Sequence, residues 1–163
     1  MQAIDPGQPV VVVGDGPVRR PLEKRNPGFH FAGARVGEDL AAHYASADVF
    51  LFPSTTETFG NVVLEAMASG LAVVAFDDAA ARQHIAHAVS GLLAPREDAH
   101  LFTHLAGLLA HDRSLRHALG REARRVSKEL PWERTFLEFE AVLLEAAQGS
   151  PMSKPSSEAR APA

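Results

Sequence analysis

A chain of 163 residues has the length of one domain with room for a core, and it carries no cysteine, which excludes disulfides, thiolate metal sites and a thiol nucleophile. Lysine and arginine total 16 against 20 aspartates and glutamates, a net charge of -4. That is the wrong sign for a surface that works on phosphate backbones, so nucleic acid is not an expected partner.

The opening residues Met1-Gln2-Ala3-Ile4-Asp5-Pro6 lack the basic stretch and apolar run of a signal peptide. No segment approaches the ~18 uncharged apolar residues of a membrane span. The expectation is a cytoplasmic protein, at most peripheral to the inner face of a membrane. Pro9 to Val13 reads as a buried strand ending at the turn Gly14-Asp15-Gly16, with Pro17 placed where a helix can begin and Pro21 keeping that helix short. Phe29 to Ala32 is a second strand, followed by Gly33 and a helix from about Glu38 to Ala45. Asp48 to Phe52 is a third strand, closed by Pro53 and the polar loop Ser54 to Thr58. A helix from about Gly60 to Ser69 stops at Gly70, a natural residue for a helix exit, and Ala72 to Phe76 is the fourth strand. A helix near Ala79 to Ala88 and a strand at Gly91 to Ala94 come next. Two helices then start near Asp98 and Asp112, which are suited to capping them, and a last one runs from about Pro131 to Ala147. From Gly149 the serine, proline and alanine content without apolar period reads as a disordered tail, leaving residues 1–148 as the domain.

Strands that are apolar throughout, separated by helices, give an α/β class: a parallel sheet covered on both faces. Ligands in such sheets bind beyond the carboxyl ends of the strands, so the loops after Val13, Ala32, Phe52 and Phe76 are the ones to inspect. The loop after Phe52 places Glu57 just before a helix and Glu65 inside it. The first N–H groups of that helix, around Phe59 to Val62, lack intrahelical partners and carry the positive end of its dipole, a seat for a diphosphate. Gly60 permits close backbone approach. Two acids flanking an anion cradle match a ligand with hydroxyls at both ends and charge in the middle, as in a sugar nucleotide. The plainer alternative is that Glu57 supports the helix dipole and Glu65 lies on a solvated face.

The neighbouring residues favour the first reading. Ala47-Asp48-Val49-Phe50-Leu51-Phe52-Pro53-Ser54, Glu57-Thr58-Phe59-Gly60 and Glu65-Ala66-Met67-Ala68-Ser69-Gly70 together resemble the donor-site signature of family 4 of the retaining glycosyltransferases. Gly14-Asp15-Gly16-Pro17, Phe31-Ala32-Gly33, Gly91-Leu92-Leu93 and Trp132 extend the resemblance over roughly Val10 to Ala147. It implies the GT-B fold of two facing Rossmann-like domains, of which this chain is similar to the C-terminal, nucleotide-sugar-binding one. It implies, further, that Glu57 holds the donor hexose near the reacting carbon, as the catalytic position, and that Glu65 binds the ribose. The amides of Phe59, Gly60, Asn61 and Val62 contact sugar and diphosphate, Arg35 and Leu40 lie against the base, and Gly14 and Gly16 complete the donor-binding set. The donor, GDP-mannose or a UDP-hexose, is a substrate; no cofactor and no metal are expected.

The resemblance also implies elements not seen in this sequence. The family's domain normally opens with a strand, a loop whose arginine and lysine clamp the diphosphate, and a helix, all before the strand at Val10. An acceptor-binding domain, or a partner chain in its place, is therefore an expected partner. Without the extra strand, in the middle of an order 3-2-1-4-5-6, the strands at Val10 and Val49 pair directly, or another chain supplies a strand, or the piece by itself is poorly stable. The expectation is a transferase domain inactive by itself, the alternative being a non-catalytic nucleotide-sugar-binding module or one subunit of a split enzyme. Arg19, Arg20, Lys24 and Arg25 match no clamp and read as a solvated face. Arg19 stands where a dinucleotide fingerprint needs its third glycine. His84 with His87 and His100 with His104 lack a third ligand, Asp77-Asp78 reads as a strand end capping the next helix, and Trp132 as a core anchor.

Overall fold

The structure, a computed structural model, describes residues 7–55 and 61–129. The expected helix from Pro131, Trp132 and the tail from Gly149 lie outside the described residues, as do Glu57, Thr58, Phe59 and Gly60 of the loop after Phe52. The described chain runs β1 (Val11–Val13), α1 (Arg19–Arg25), β2 (His30–Gly33), α2 (Gly37–Ser46), β3 (Val49–Phe52), α3 (Asn61–Ala68), β4 (Ala72–Phe76), α4 (Ala79–His84), β5 (Leu92–Ala94), α5 (Ala99–His111) and α6 (Arg113–Lys128).

Every ladder is parallel, as strand–helix alternation requires. The described strands form two sheets, β1-β2 and β3-β4-β5, and no ladder joins β1 to β3. Of the alternatives the sequence left open, direct pairing of these two strands is the one the described residues do not adopt.

β4 is the centre of the core. All five of its residues are buried, and their side chains alternate between two faces. Val73 and Ala75 pack with Val63, Ala66 and Met67 of α3, Ala81 and Ile85, and Ala123 of α6. Ala72, Val74 and Phe76 pack on the other face with Leu92, Phe102, Leu109 and Leu119. A strand covered on both faces has no polar side to show, which is why Ala-Val-Val-Ala-Phe is apolar without alternation.

β1 departs from the buried strand expected at Pro9 to Val13. Val11 is 51% and Val13 39% exposed. The reason is physical: among the described residues β1 has a ladder on one side only, and α1, the helix that follows it, buries no residue. Pro21 does not end α1 but sits in its first turn, where the missing N–H has no intrahelical acceptor to lose. Helix α4 stops at His84, short of the expected Ala88. The chain turns there instead: Val89 and Ser90 donate to the Ala86 carbonyl, the fully buried Ser90 Oγ accepts from the Ala86 N–H at 3.0 Å, and Ala88 takes a φ of 61°.

The caps are those the sequence points to. Asp98 Oδ1 accepts from the Leu101 N–H and Asp112 Oδ1 from the Leu115 N–H, both at 2.9 Å. After α3 the Gly70 N–H bonds to the Met67 carbonyl and the Leu71 N–H to that of Ala66, with Gly70 at φ 81°, the crossed pair that closes a helix through a left-handed residue.

Candidate donor site

Parallel strands deliver their following loops to one edge of each sheet, and the described residues after β1, β2 and β3 lead away from that edge. β3 hands over to Pro53, Ser54 and Thr55, and α3 opens at Asn61. Along α3 the apolar period turns Val63, Ala66 and Met67 inward. Asn61 and Glu65, one turn apart, share the exposed face, with Val62 half-buried beside them. An exposed glutamate here is what either reading of Glu65 requires.

Its neighbour is informative. Tyr44 Oη, from α2, donates to Glu65 Oε2 at 3.1 Å and lies 3.5 Å from the Val62 carbonyl oxygen. The Tyr44 ring packs 5.8 Å from Phe50, which stacks on Phe52 at 6.0 Å. Burial, then the hydrogen bond and charge of Glu65, push the phenol well above its ordinary range, so it stays a neutral donor. Leu40, half-buried, lies one turn before Tyr44 on the same face of α2. Arg35 precedes α2, between Gly33 and Gly37, which both have positive φ, and its Nη1 pairs with Asp39 Oδ2 at 3.1 Å. The acid in the first turn of α2 therefore holds the Arg35 side chain, while its backbone lies in the loop beyond β2.

Gly14 and Gly16 form a second group. Gly14, at φ 138°, donates its N–H to the Gly33 carbonyl at 2.8 Å, joining the loops after β1 and β2. The Gly16 N–H donates to Asp15 Oδ1 at 2.8 Å. That bond, then Arg19, keeps the Asp15 carboxyl below its usual range. An anion reaching Gly16 has to displace Asp15 from its amide. Arg19 is not the solvated side chain expected: half-buried, it pairs with Asp15 at 3.1 Å and Glu23 at 3.0 Å and donates to the Phe31 carbonyl at 3.3 Å. Asp15, Gly16, Arg19 and Glu23 rim an open depression with Pro17 and Arg20. After β4, Asp77 pairs with Arg82 at 2.8 Å and Asp78 with Arg96 at 3.3 Å. Among the described residues no three histidine, aspartate or glutamate side chains gather as a metal site requires.

The sequence reading missed Tyr44, Arg82 and Arg96. Asp77 and Arg82 carry a weak signal in their opposite charges 5 positions apart, whereas Asp78 and Arg96 stand on either side of β5 and carry none. Tyr44 carries none, because its contact with Glu65 spans 21 residues and exists only once α2 and α3 pack.

Residues 3–112 match the family described as glycosyl transferases group 1. A sulfoquinovosyl transferase of Arabidopsis thaliana is 40% identical over 129 residues, 76% of this chain and 25% of that protein. A GDP-mannose-dependent alpha-mannosyltransferase of Mycobacterium tuberculosis is 44% identical over 111 residues, 68% of this chain and 29% of that protein. The chain thus spans about a quarter of the length of the curated relatives it matches. Among solved structures, sucrose-phosphate synthase from Thermosynechococcus elongatus superposes with a TM-score of 0.77 at 26% identity, covering 86% of this chain and 39% of that one. The parallel sheets with flanking helices are those of a GT-B glycosyltransferase, and the chain belongs to the group 1 glycosyltransferases.

Proposed function

We propose that the chain is the donor domain of a retaining hexosyltransferase, binding GDP-mannose or a UDP-hexose for transfer of the hexose to a glycan or lipid acceptor held by another domain or chain. The observation that carries this reading is the exposed face of α3, where Asn61 and Glu65 stand one turn apart just beyond the carboxyl end of β3. On it, Glu65 accepts from the ribose hydroxyls and the N–H groups at the start of α3, Asn61 and Val62 among them, take the diphosphate. Glu57, Phe59 and Gly60 hold the hexose. The backbone at Arg35 and the side chain of Leu40 meet the base, and Gly14 and Gly16 line the approach. Identity of 44% to a GDP-mannose-dependent enzyme supports mannose as one candidate sugar.

In the reaction the bond from the anomeric carbon to the diphosphate oxygen breaks, and its electrons move onto the leaving group. The dipoles of the α3 N-terminus, together with basic side chains, face that growing charge, with no metal needed. The acceptor hydroxyl oxygen bonds to the anomeric carbon from the face the diphosphate leaves, and its proton passes to the departing diphosphate oxygen, which retains configuration. The setting we propose is the cytoplasm, at or near the inner face of a membrane.

A second reading, a non-catalytic binding module or one subunit of a split transferase, is favoured by one observation: among the described residues no ladder joins β1 to β3. In either case the chain alone binds donor without transferring sugar. Calorimetric titration with GDP, UDP, GDP-mannose and UDP-glucose, followed by an assay of labelled hexose transfer, tests this. The expected result is saturable heat with nucleotides of one base and no transfer. Heat with none of the four contradicts the donor reading, and transfer by the 163-residue chain contradicts its dependence on a further part.

A further inference from the structure

An exposed glutamate on a helix has rotatable torsions enough to spread its carboxylate over several positions. Glu65 is held instead. Tyr44 Oη donates to its Oε2 at 3.1 Å, and the phenol is itself fixed, because its ring lies half-buried against Phe50 and through it against Phe52 of β3. Phe50 and Phe52, two apart, point to one face of the strand, so the ring rests on sheet rather than on loop. The Val62 carbonyl, 3.5 Å away, borders the hydroxyl on its other side. A phenol has one proton to give, and the shorter contact, to a charged acceptor, takes it.

We propose that Tyr44 is a positioning residue of the donor site: by holding Oε2 of Glu65 it leaves Oε1 presented to the vicinal hydroxyls of the donor's ribose. The inference rests on the reading of Glu65 as the ribose acceptor. Its consequence is selectivity for ribose over deoxyribose. A preset carboxylate gains fully from a diol, whereas a mobile one must first be ordered and gains less; without the diol the exposed carboxylate returns to water, so a dideoxy ligand is indifferent to Tyr44.

The experiment compares GDP and UDP with their 2′,3′-dideoxy analogues, titrated into the wild-type chain and Tyr44→Phe. Wild type is expected to favour the ribonucleotide of the base it binds by about tenfold or more, the effect of a hydrogen bond to a charged group. In Tyr44→Phe that ratio falls to about threefold or less while affinity for the dideoxy analogue stays as in wild type. An unchanged large ratio in Tyr44→Phe overturns the role of Tyr44 and leaves the donor reading standing. Equal loss of both ligands assigns Tyr44 to packing alone and also overturns it. A wild-type chain that does not distinguish the ligands, or binds neither, contradicts the ribose assignment of Glu65 and the inference with it. Tyr44 is the sole tyrosine of the chain, so a measurement on wild type covers a variant that fails to fold. Carbon-13 tyrosine labelling gives one ring to follow, expected to shift more with the ribonucleotide than with the dideoxy analogue; identical responses to both overturn the proposal.

Discussion

The Tyr44 phenol and the Glu65 carboxylate report on each other. The phenol is raised by burial first and by Glu65 second. A proton held more tightly in the folded state than in the unfolded one stabilises the fold. That contribution is whole below the unfolded phenol value of about 10 and is lost as pH rises through the higher folded value. Phenolate absorbance is therefore expected to appear above pH 10, and Glu65→Gln is expected to lower its midpoint while leaving it above the unfolded value, since burial remains. A midpoint that Glu65→Gln leaves unmoved contradicts the bond. The exposed placement of Glu65 and Asn61 was legible in the sequence, because the helical period that turns Val63, Ala66 and Met67 inward leaves them outside. Tyr44 was not, since nothing local links it to a residue 21 positions on. Arg19 was misread for a related reason: its charge was visible, but the Phe31 carbonyl that it reaches comes from the next strand.

At the scale of elements, two contacts decide how the helices sit on the sheet. The exit of α3 meets α6 backbone to backbone: a Cβ at Gly120 would lie 2.3 Å from the Gly70 carbonyl oxygen, a distance that only movement of one helix relieves. Gly120→Ala is expected to cost about 1–3 kcal/mol, the range for overpacking a tight core. A urea midpoint equal to wild type would show that the two helices do not approach so closely. The second contact is Arg116, whose Nη1 donates to the Leu109 carbonyl at 2.7 Å and the Ala110 carbonyl at 3.2 Å at the end of α5. Its Nε, buried and without a hydrogen-bond partner, lies 3.8 Å from Asp48 Oδ1 just before β3. Arg116→Met keeps the apolar stem and removes the donors, and is expected to destabilise by about 1–3 kcal/mol. Asp48→Asn, at an exposed carboxylate, is expected to change stability by less than about 1 kcal/mol; the reverse order in thermal melts would contradict this account. Helix ends set by a side chain and its own first turn, as at Asp98 and Asp112, were legible. The end of α4 was not, because the buried Ser90 hydroxyl that takes the Ala86 N–H looks in sequence like any loop serine.

For the whole molecule, strand–helix alternation made the α/β class and the parallel sense of the strands readable. The division of the described strands into two sheets was not readable: the sequence left direct pairing, a strand from another chain and low stability all open, since pairing partners are a matter of tertiary geometry. The division predicts unequal stability. β4, buried on both faces between β3 and β5, should hold its amide protons longest in native-state hydrogen exchange, and β1 and β2 should release theirs earliest. Equal protection in both sheets would mean that they unfold as one unit.

The central claim, that the exposed face of α3 is the ribose end of a nucleotide-sugar site, is tested most directly by calorimetric titration of nucleoside diphosphate into wild type and Glu65→Ala, with thermal melts to show that both are folded. The account predicts saturable binding by wild type that weakens about tenfold or more in Glu65→Ala, the loss expected for hydrogen bonds to a charged acceptor. Equal affinity in the two folded proteins would contradict it.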